Sequence, residues 1–171
     1  MGGTDEPVIE YDDRWIVRPL RRRVIRRIRW ASDRVELICD PFLAVVVGLD
    51  ARLSPVFHKD DPRRHPITYW SKQKVAQLLE TPILSAVFFK SGHLRFGFEN
   101  GWNLTSARQP ERLPCAYTRE GVLWDGSVWH EHPGYRVVAV DKWSGQVISA
   151  PPWPMRPPEL GSESGSGDIN G

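Results

Sequence analysis

Five histidines, two cysteines and a dense run of arginines are the side chains through which this 171-residue chain could do chemistry. His130-Glu131-His132 would set two imidazoles on one face of a strand, a spacing that can chelate a transition metal. A third ligand would have to come from His58, His65 or Asp61, and nothing in the spacing demands it. A surface His-x-His before Pro133 is the plainer reading. His93 falls on the polar side of an alternating segment and is expected in solvent. A nucleophilic enzyme needs a Ser or Cys on a tight turn with a base and an oxyanion site. There is no Gly-x-Ser-x-Gly here, and Cys115 follows Pro114 in an irregular stretch. Asp12-Asp13 and Asp60-Asp61 lie in a charged arm and a loop, and no glycine-rich loop offers a phosphate cradle. No catalytic residue and no cofactor are assigned, and the residues point away from an enzyme.

The arginines are the sharpest oddity. Between Arg14 and Arg34 stand nine of them, while residues 5 to 13 carry Asp5, Glu6, Glu10, Asp12 and Asp13. A strip over Arg18 to Arg34, with Arg22, Arg23, Arg27 and Arg29 foremost, could grip phosphates with a salt-dependent affinity. No aromatic rings are interleaved on that face, and charges also protect an edge strand from aggregation. Eight tryptophans are many for this length. Trp124, Trp129, Trp143 and Trp153 fall near turns and prolines, where exposed Trp with Arg is the composition of interface hot spots. The leading expectation is therefore a non-enzymatic cytosolic module that binds another protein, as an inhibitor or immunity-type partner would. Candidate contacts are Arg22, Arg23, Arg27, Arg29, Trp124 and Trp129. Nucleic-acid binding by the Arg18–Arg34 strip is second, and a metal-dependent enzyme at His130 and His132 third.

The bulk properties bound these readings. A chain 40% hydrophobic and 26% charged is globular in composition, and a net charge of +2 raises no global field for nucleic acid. The longest apolar run, Phe42 to Leu49, is too short for a bilayer and suits a buried strand, so no membrane partner is expected. The N-terminal residues lack a signal-peptide pattern, and Glu6 stands where myristoylation wants Ser or Thr. Cys39 and Cys115 fit no zinc or redox spacing; reduced thiols in a cytoplasmic protein are favoured over one disulfide.

Positioning would come from a mainly β, α+β fold with antiparallel sheets. Residues 24 to 39 (VIRRIRWASDRVELIC) and 83 to 98 (ILSAVFFKSGHLRFGF) superpose at an offset of 59, pairing Trp30 with Phe89, Val35 with Leu94, Leu37 with Phe96 and Cys39 with Phe98. This suggests a duplicated β-hairpin unit, with copies at about 20–49 and 79–105. In the second copy, His93 to Glu99 alternates strictly, and a Ser91-Gly92 turn sets Phe89 against Leu94 and Val87 against Phe96. A three-residue loop ending at Gly101 then sets Phe98 against Trp102 and Phe96 against Leu104. In the first copy the same logic pairs Trp30 with Val35, Ile28 with Leu37 and Arg29 with Glu36, leaving Arg26 awkwardly on the apolar face. Leu20, Val24, Ile28, Ala31 and Val35 also fit a helix after Pro19; their β-branched content favours strands over 18–35.

One helix is expected at about 71–80, between the copies, capped by Ser71 and ended by Thr81-Pro82. Further strands are expected over about 120–150, with turns at Asp125-Gly126 and Ser144-Gly145 and a strand from Tyr135 to Val140. Residues 1–13 read as a flexible acidic arm, 14–154 as one domain closed by Pro151 to Pro154, and 155–171 as a disordered tail. The leucine-led strand, the helix before a second Leu-x-x-x-Val copy, and the Phe98-Glu-Asn-Gly-Trp-x-Leu104 turn resemble a family of small actinobacterial proteins known as a domain of unknown function. The resemblance covers roughly residues 15 to 105, departs over Arg108 to Asp125, and implies a two-copy β fold without site residues.

Overall fold

The computed structural model describes residues 7–39, 43–56, 60–107, 114–126, 128–132 and 134–149. His58, the Pro151–Pro154 segment and the 155–171 tail lie outside them. The strands are β1 (Val8–Glu10), β2 (Arg14–Val17), β3 (Ile25–Trp30), β4 (Arg34–Cys39), β5 (Leu43–Gly48), β6 (Arg52–Ser54) and β7 (His65–Pro66). They continue as β8 (Ile83–Phe89), β9 (Leu94–Phe98), β10 (Asn103–Thr105), β11 (Cys115–Thr118), β12 (Gly121–Trp124), β13 (Val137–Val140) and β14 (Val147–Ser149). The expected helix is one turn, α1 (Lys72–Val75), continued as a 3-10 turn over Ala76–Leu78. Its cap is as expected: Lys74 N donates to Ser71 Oγ at 3.1 Å. Among the described residues no helix is long and apolar enough to cross a membrane.

Nine strands form one sheet in the order β14-β13-β1-β2-β8-β9-β10-β6-β7, and five form another, β12-β11-β5-β4-β3. Both contribute to one core, in which Phe88 of β8 meets Trp124 of β12 edge-on at 4.6 Å. β5, Val-rich and buried at every position, is the central strand of the small sheet. Between the described strands pairing is antiparallel with one exception to the expected all-antiparallel sheets: β1 runs parallel to β13, Val8 opposite Val137. A second correction concerns the acidic arm, which is not loose over its described part. Val8 is fully buried, and β1 lies between β13 and β2.

The first hairpin has the expected register, Trp30↔Val35, Ile28↔Leu37 and Arg29↔Glu36. Residues 18–35 are accordingly not a helix, apart from a 3-10 turn at Arg18–Leu20 around Pro19. Arg26 escapes the apolar face because the register shifts between Ile25 and Arg27. This bulge leaves Arg26 exposed, 3.8 Å from Glu80. The second hairpin departs from expectation by one residue: Phe88, not Phe89, lies opposite Leu94, and Ala86, not Val87, opposite Phe96. Its loop holds Lys90-Ser91-Gly92, closed by Phe89 N donating to His93 O, with Gly92 at φ 103°. The next loop matches expectation, with Phe98 N donating to Trp102 O, Leu104 opposite Phe96, and Gly101 at φ 94°.

Candidate functional site

β3 ends the small sheet, and its outer edge is where the arginine strip lies. Ala31 N donates to Arg34 O across the Ser32-Asp33 turn. Alternation from that closing pair turns the Arg29 and Arg27 main-chain groups toward β4 and those of Ile28 and Trp30 away from it. Beyond the single-residue bridges Val24↔Pro82 and Ile25↔Leu79, no strand pairs with this edge among the described residues. Trp30 is half-buried, with Lys72 Nζ 5.3 Å from its ring centre.

Arg27 and Arg29 share the outer face of β3, both exposed. Arg29 Nη2 reaches Glu36 Oε1 at 3.3 Å, and Arg34 Nε donates to Glu36 Oε2 at 3.0 Å. Glu36 is 5% exposed, so two guanidiniums balance one nearly buried carboxylate. Arg22 is exposed too, in the left-handed region at φ 70°, its N–H donating to Ile83 O at 2.7 Å. Arg23 leaves the expected strip: it is half-buried and donates to the Tyr135 hydroxyl. Burial dominates at Tyr135 and raises its phenol above the usual range.

The remaining candidates separate. Trp124 is fully buried against Phe88 and cannot serve a surface. Trp129 is half-buried, its ring 5.7 Å from that of Trp15. Trp143 is 87% exposed in the β13–β14 turn. His130 Nε2 lies 3.4 Å from Asp125 Oδ2, whereas His132 Nε2 meets Val122 O at 2.8 Å, so the imidazoles serve different partners. Among the described residues no three His, Cys, Asp or Glu side chains gather to hold a metal. Both cysteines are free thiols; burial pushes the Cys39 thiol up to about 12.

Sequence reasoning missed a cleft of about 1420 Å³ on the outer face of the large sheet. There His93 stacks on Phe89 at 4.2 Å, with the Arg14 and Arg95 guanidiniums 4.9 and 5.4 Å from the same ring centre. His93 is thus stacked on a ring while remaining partly exposed, as expected of the polar side of its strand. Strict alternation from His93 to Phe98 was the available signal, since it puts His93 and Arg95 on one face. Searches against family models, curated proteins and solved structures each find no match to this chain.

Proposed function

We propose that the chain is a protein-binding module of duplicated construction, which captures an extended acidic segment of another protein by adding it as a strand beside β3. Support for the duplication comes from features that recur 58 positions apart. Among the described residues the two non-glycine positions of positive φ are Arg22 and Glu80, and each follows a 3-10 turn, at Arg18–Leu20 and Ala76–Leu78. Their amides bond reciprocally, Arg22 N to Ile83 O and Glu80 N to Ile25 O. Val24 bridges Pro82 between them, and the bulges at Arg26 and Leu84 correspond. The loop of the second hairpin is one residue longer, so later strands match at an offset of 59 instead. Each half also gives a strand to the other: β6 pairs with β10, and β11 with β5.

The observation that carries the binding reading is a difference between those halves. β2 pairs along the outer edge of β8, whereas the matching segment, Lys72–Val75, coils into α1, and among the described residues no strand pairs along the β3 edge. Open edges template strand addition. An incoming strand would set alternate side chains beside Arg27 and Arg29 and the others beside Ile28 and Trp30, so it should alternate acidic with apolar residues. A second copy of the chain is a poor occupant, because two β3 edges would align arginines with arginines.

The test is a labelled peptide of alternating Glu and Val, titrated by fluorescence anisotropy against the full chain. Binding should weaken roughly tenfold or more in Arg27→Glu/Arg29→Glu and vanish when the peptide's alternate amides are N-methylated. Equal binding of the N-methylated peptide would exclude strand addition. An oligo-dT that binds with steep salt dependence while the peptide does not would transfer the arginines to nucleic acid.

A further inference from the structure

We propose that Arg18, Arg21, Arg22 and Arg136 form a second basic surface, apart from the β3 edge, that grips the phosphate backbone of a nucleic-acid duplex without reading its sequence. The fold gathers these residues from separate segments. Val8 lies opposite Val17 on one side and Val137 on the other, so Pro7 falls between Arg18 and Arg136. All three valines are buried, and alternation therefore turns Arg18 and Arg136 to the outer face, two strand spacings or about 10 Å apart. Arg21 follows at the end of the 3-10 turn, its N–H donating to Arg18 O at 2.9 Å. Three residues per turn stack residue 21 over residue 18, at a rise of roughly 6 Å. Arg22 comes next. Arg21, Arg22 and Arg136 are exposed, and Arg18 is half-buried.

Among the described residues none of these four guanidiniums is ion-paired or hydrogen-bonded, whereas Arg29 and Arg34 are held by Glu36. Two acids stand at this end. Glu99 N donates to Pro82 O, next to the Ile83 carbonyl that Arg22 holds. Glu120 lies near Tyr135 and accepts from the Thr118 hydroxyl at 2.9 Å. Neither pairs with the four arginines, so the surface keeps an excess of positive charge. The planar fork of arginine matches phosphate oxygens two at a time. Intervals of roughly 6 and 10 Å let each fork meet a different phosphate on a backbone whose charges recur every ~3.4 Å of helix axis per strand. The apolar side chains interleaved with the arginines, Val17, Leu20 and Val137, are buried, so these segments offer no apolar anchor of the kind protein partners use. Residues 17–23 and 134–137 hold one aromatic ring, that of Tyr135, and its burial disfavours a single strand gripped by stacking.

The probes are labelled duplex DNA and duplex RNA of one sequence, titrated by anisotropy against the full chain. Four phosphate contacts give a slope of log affinity on log salt of about −3.6, hence roughly hundredfold weaker binding at 200 mM than at 50 mM salt. At least one duplex should behave so. Arg21→Gln/Arg136→Gln changes two exposed positions, so folding is not at stake, and should reduce the slope to about −1.8. Arg27→Gln/Arg29→Gln, which weakens the β3 edge, should leave the slope unchanged, so the two surfaces fail separately. No binding of either duplex at low salt, or a slope that Arg21→Gln/Arg136→Gln does not reduce, would overturn the proposal. So would polyglutamate that displaces the duplex as well, charge for charge, as unlabelled duplex does, since the surface would then belong to an acidic protein.

Discussion

The hairpins β3–β4 and β8–β9 share a bulge, a preceding 3-10 turn and apolar inner pairs, yet they stand in opposite circumstances. β8 is flanked on both sides, by β2 and β9, and its Phe88 is fully buried. Among the described strands β3 is flanked by β4 alone, and its matching residue Trp30 is half-buried. Local pairing within a hairpin is thus nearly independent of whether its outer edge is covered. What the cover changes is which residues can be tolerated there. A covered strand can hold Ala86 and Phe88 in sequence order with Val87, whereas an open one alternates Arg27, Ile28, Arg29 and Trp30 and keeps its charges outward.

The largest expected effect breaks this comparison at its centre. Phe88→Ala should cost about 3–5 kcal/mol in urea denaturation, as a large ring lost from a closed core does. Trp30→Ala should cost about half as much, because the site can relax into solvent. Equal losses would mean that the β3 edge is covered in solution.

Next in size is the position that ends the inner row of each hairpin, Cys39 in one and Phe98 in the other. Burial raises the Cys39 thiol from its ordinary 9.0 to about 12, so between those values the folded chain holds a proton that the unfolded chain has released. Stability must then fall as pH rises from about 9, by up to ~1.4 kcal/mol per pH unit attributable to this thiol. The measurement is the difference between the parent and Cys39→Val across alkaline urea titrations. A constant difference would place Cys39 in contact with water.

Much of this contrast is legible in the residues, and the failures have physical causes. Trp30↔Val35 and Phe98↔Trp102 could be read because strict alternation and a loop glycine leave one register with an unbroken apolar face. Phe88↔Leu94 was misread because β8 is buried at Ala86, Val87 and Phe88 alike. Three buried residues in a row carry no period-2 signal to fix the register. Trp124 looked like a surface residue because it precedes a turn, but turn proximity says nothing about which way a ring packs. The juxtaposition of Arg18 with Arg136 was out of reach, since it is made through the parallel β1–β13 pairing, which no local pattern encodes.

The loops offer a smaller test. Gly92, at φ 103°, should lose about 1–2 kcal/mol on replacement by Ala, which resists that conformation. Exposed Ser32, in the shorter loop of the first hairpin, should accept Ala within ~0.5 kcal/mol. A large loss at Ser32 would show that its hydroxyl holds the turn.

Arg26 should matter least to folding, and that makes it informative. As a residue squeezed onto the apolar face it would be among the most costly in the chain; as a bulge residue it is half-exposed, with its carboxylate partner Glu80 exposed as well. Exposed pairs of this kind contribute little, so Arg26→Ala should change stability by less than ~0.5 kcal/mol. Arg26→Leu should be comparably mild if the side chain points to solvent. A gain of more than ~1 kcal/mol for Leu would instead place residue 26 on the inner face and return the first hairpin to a continuous, unbulged register.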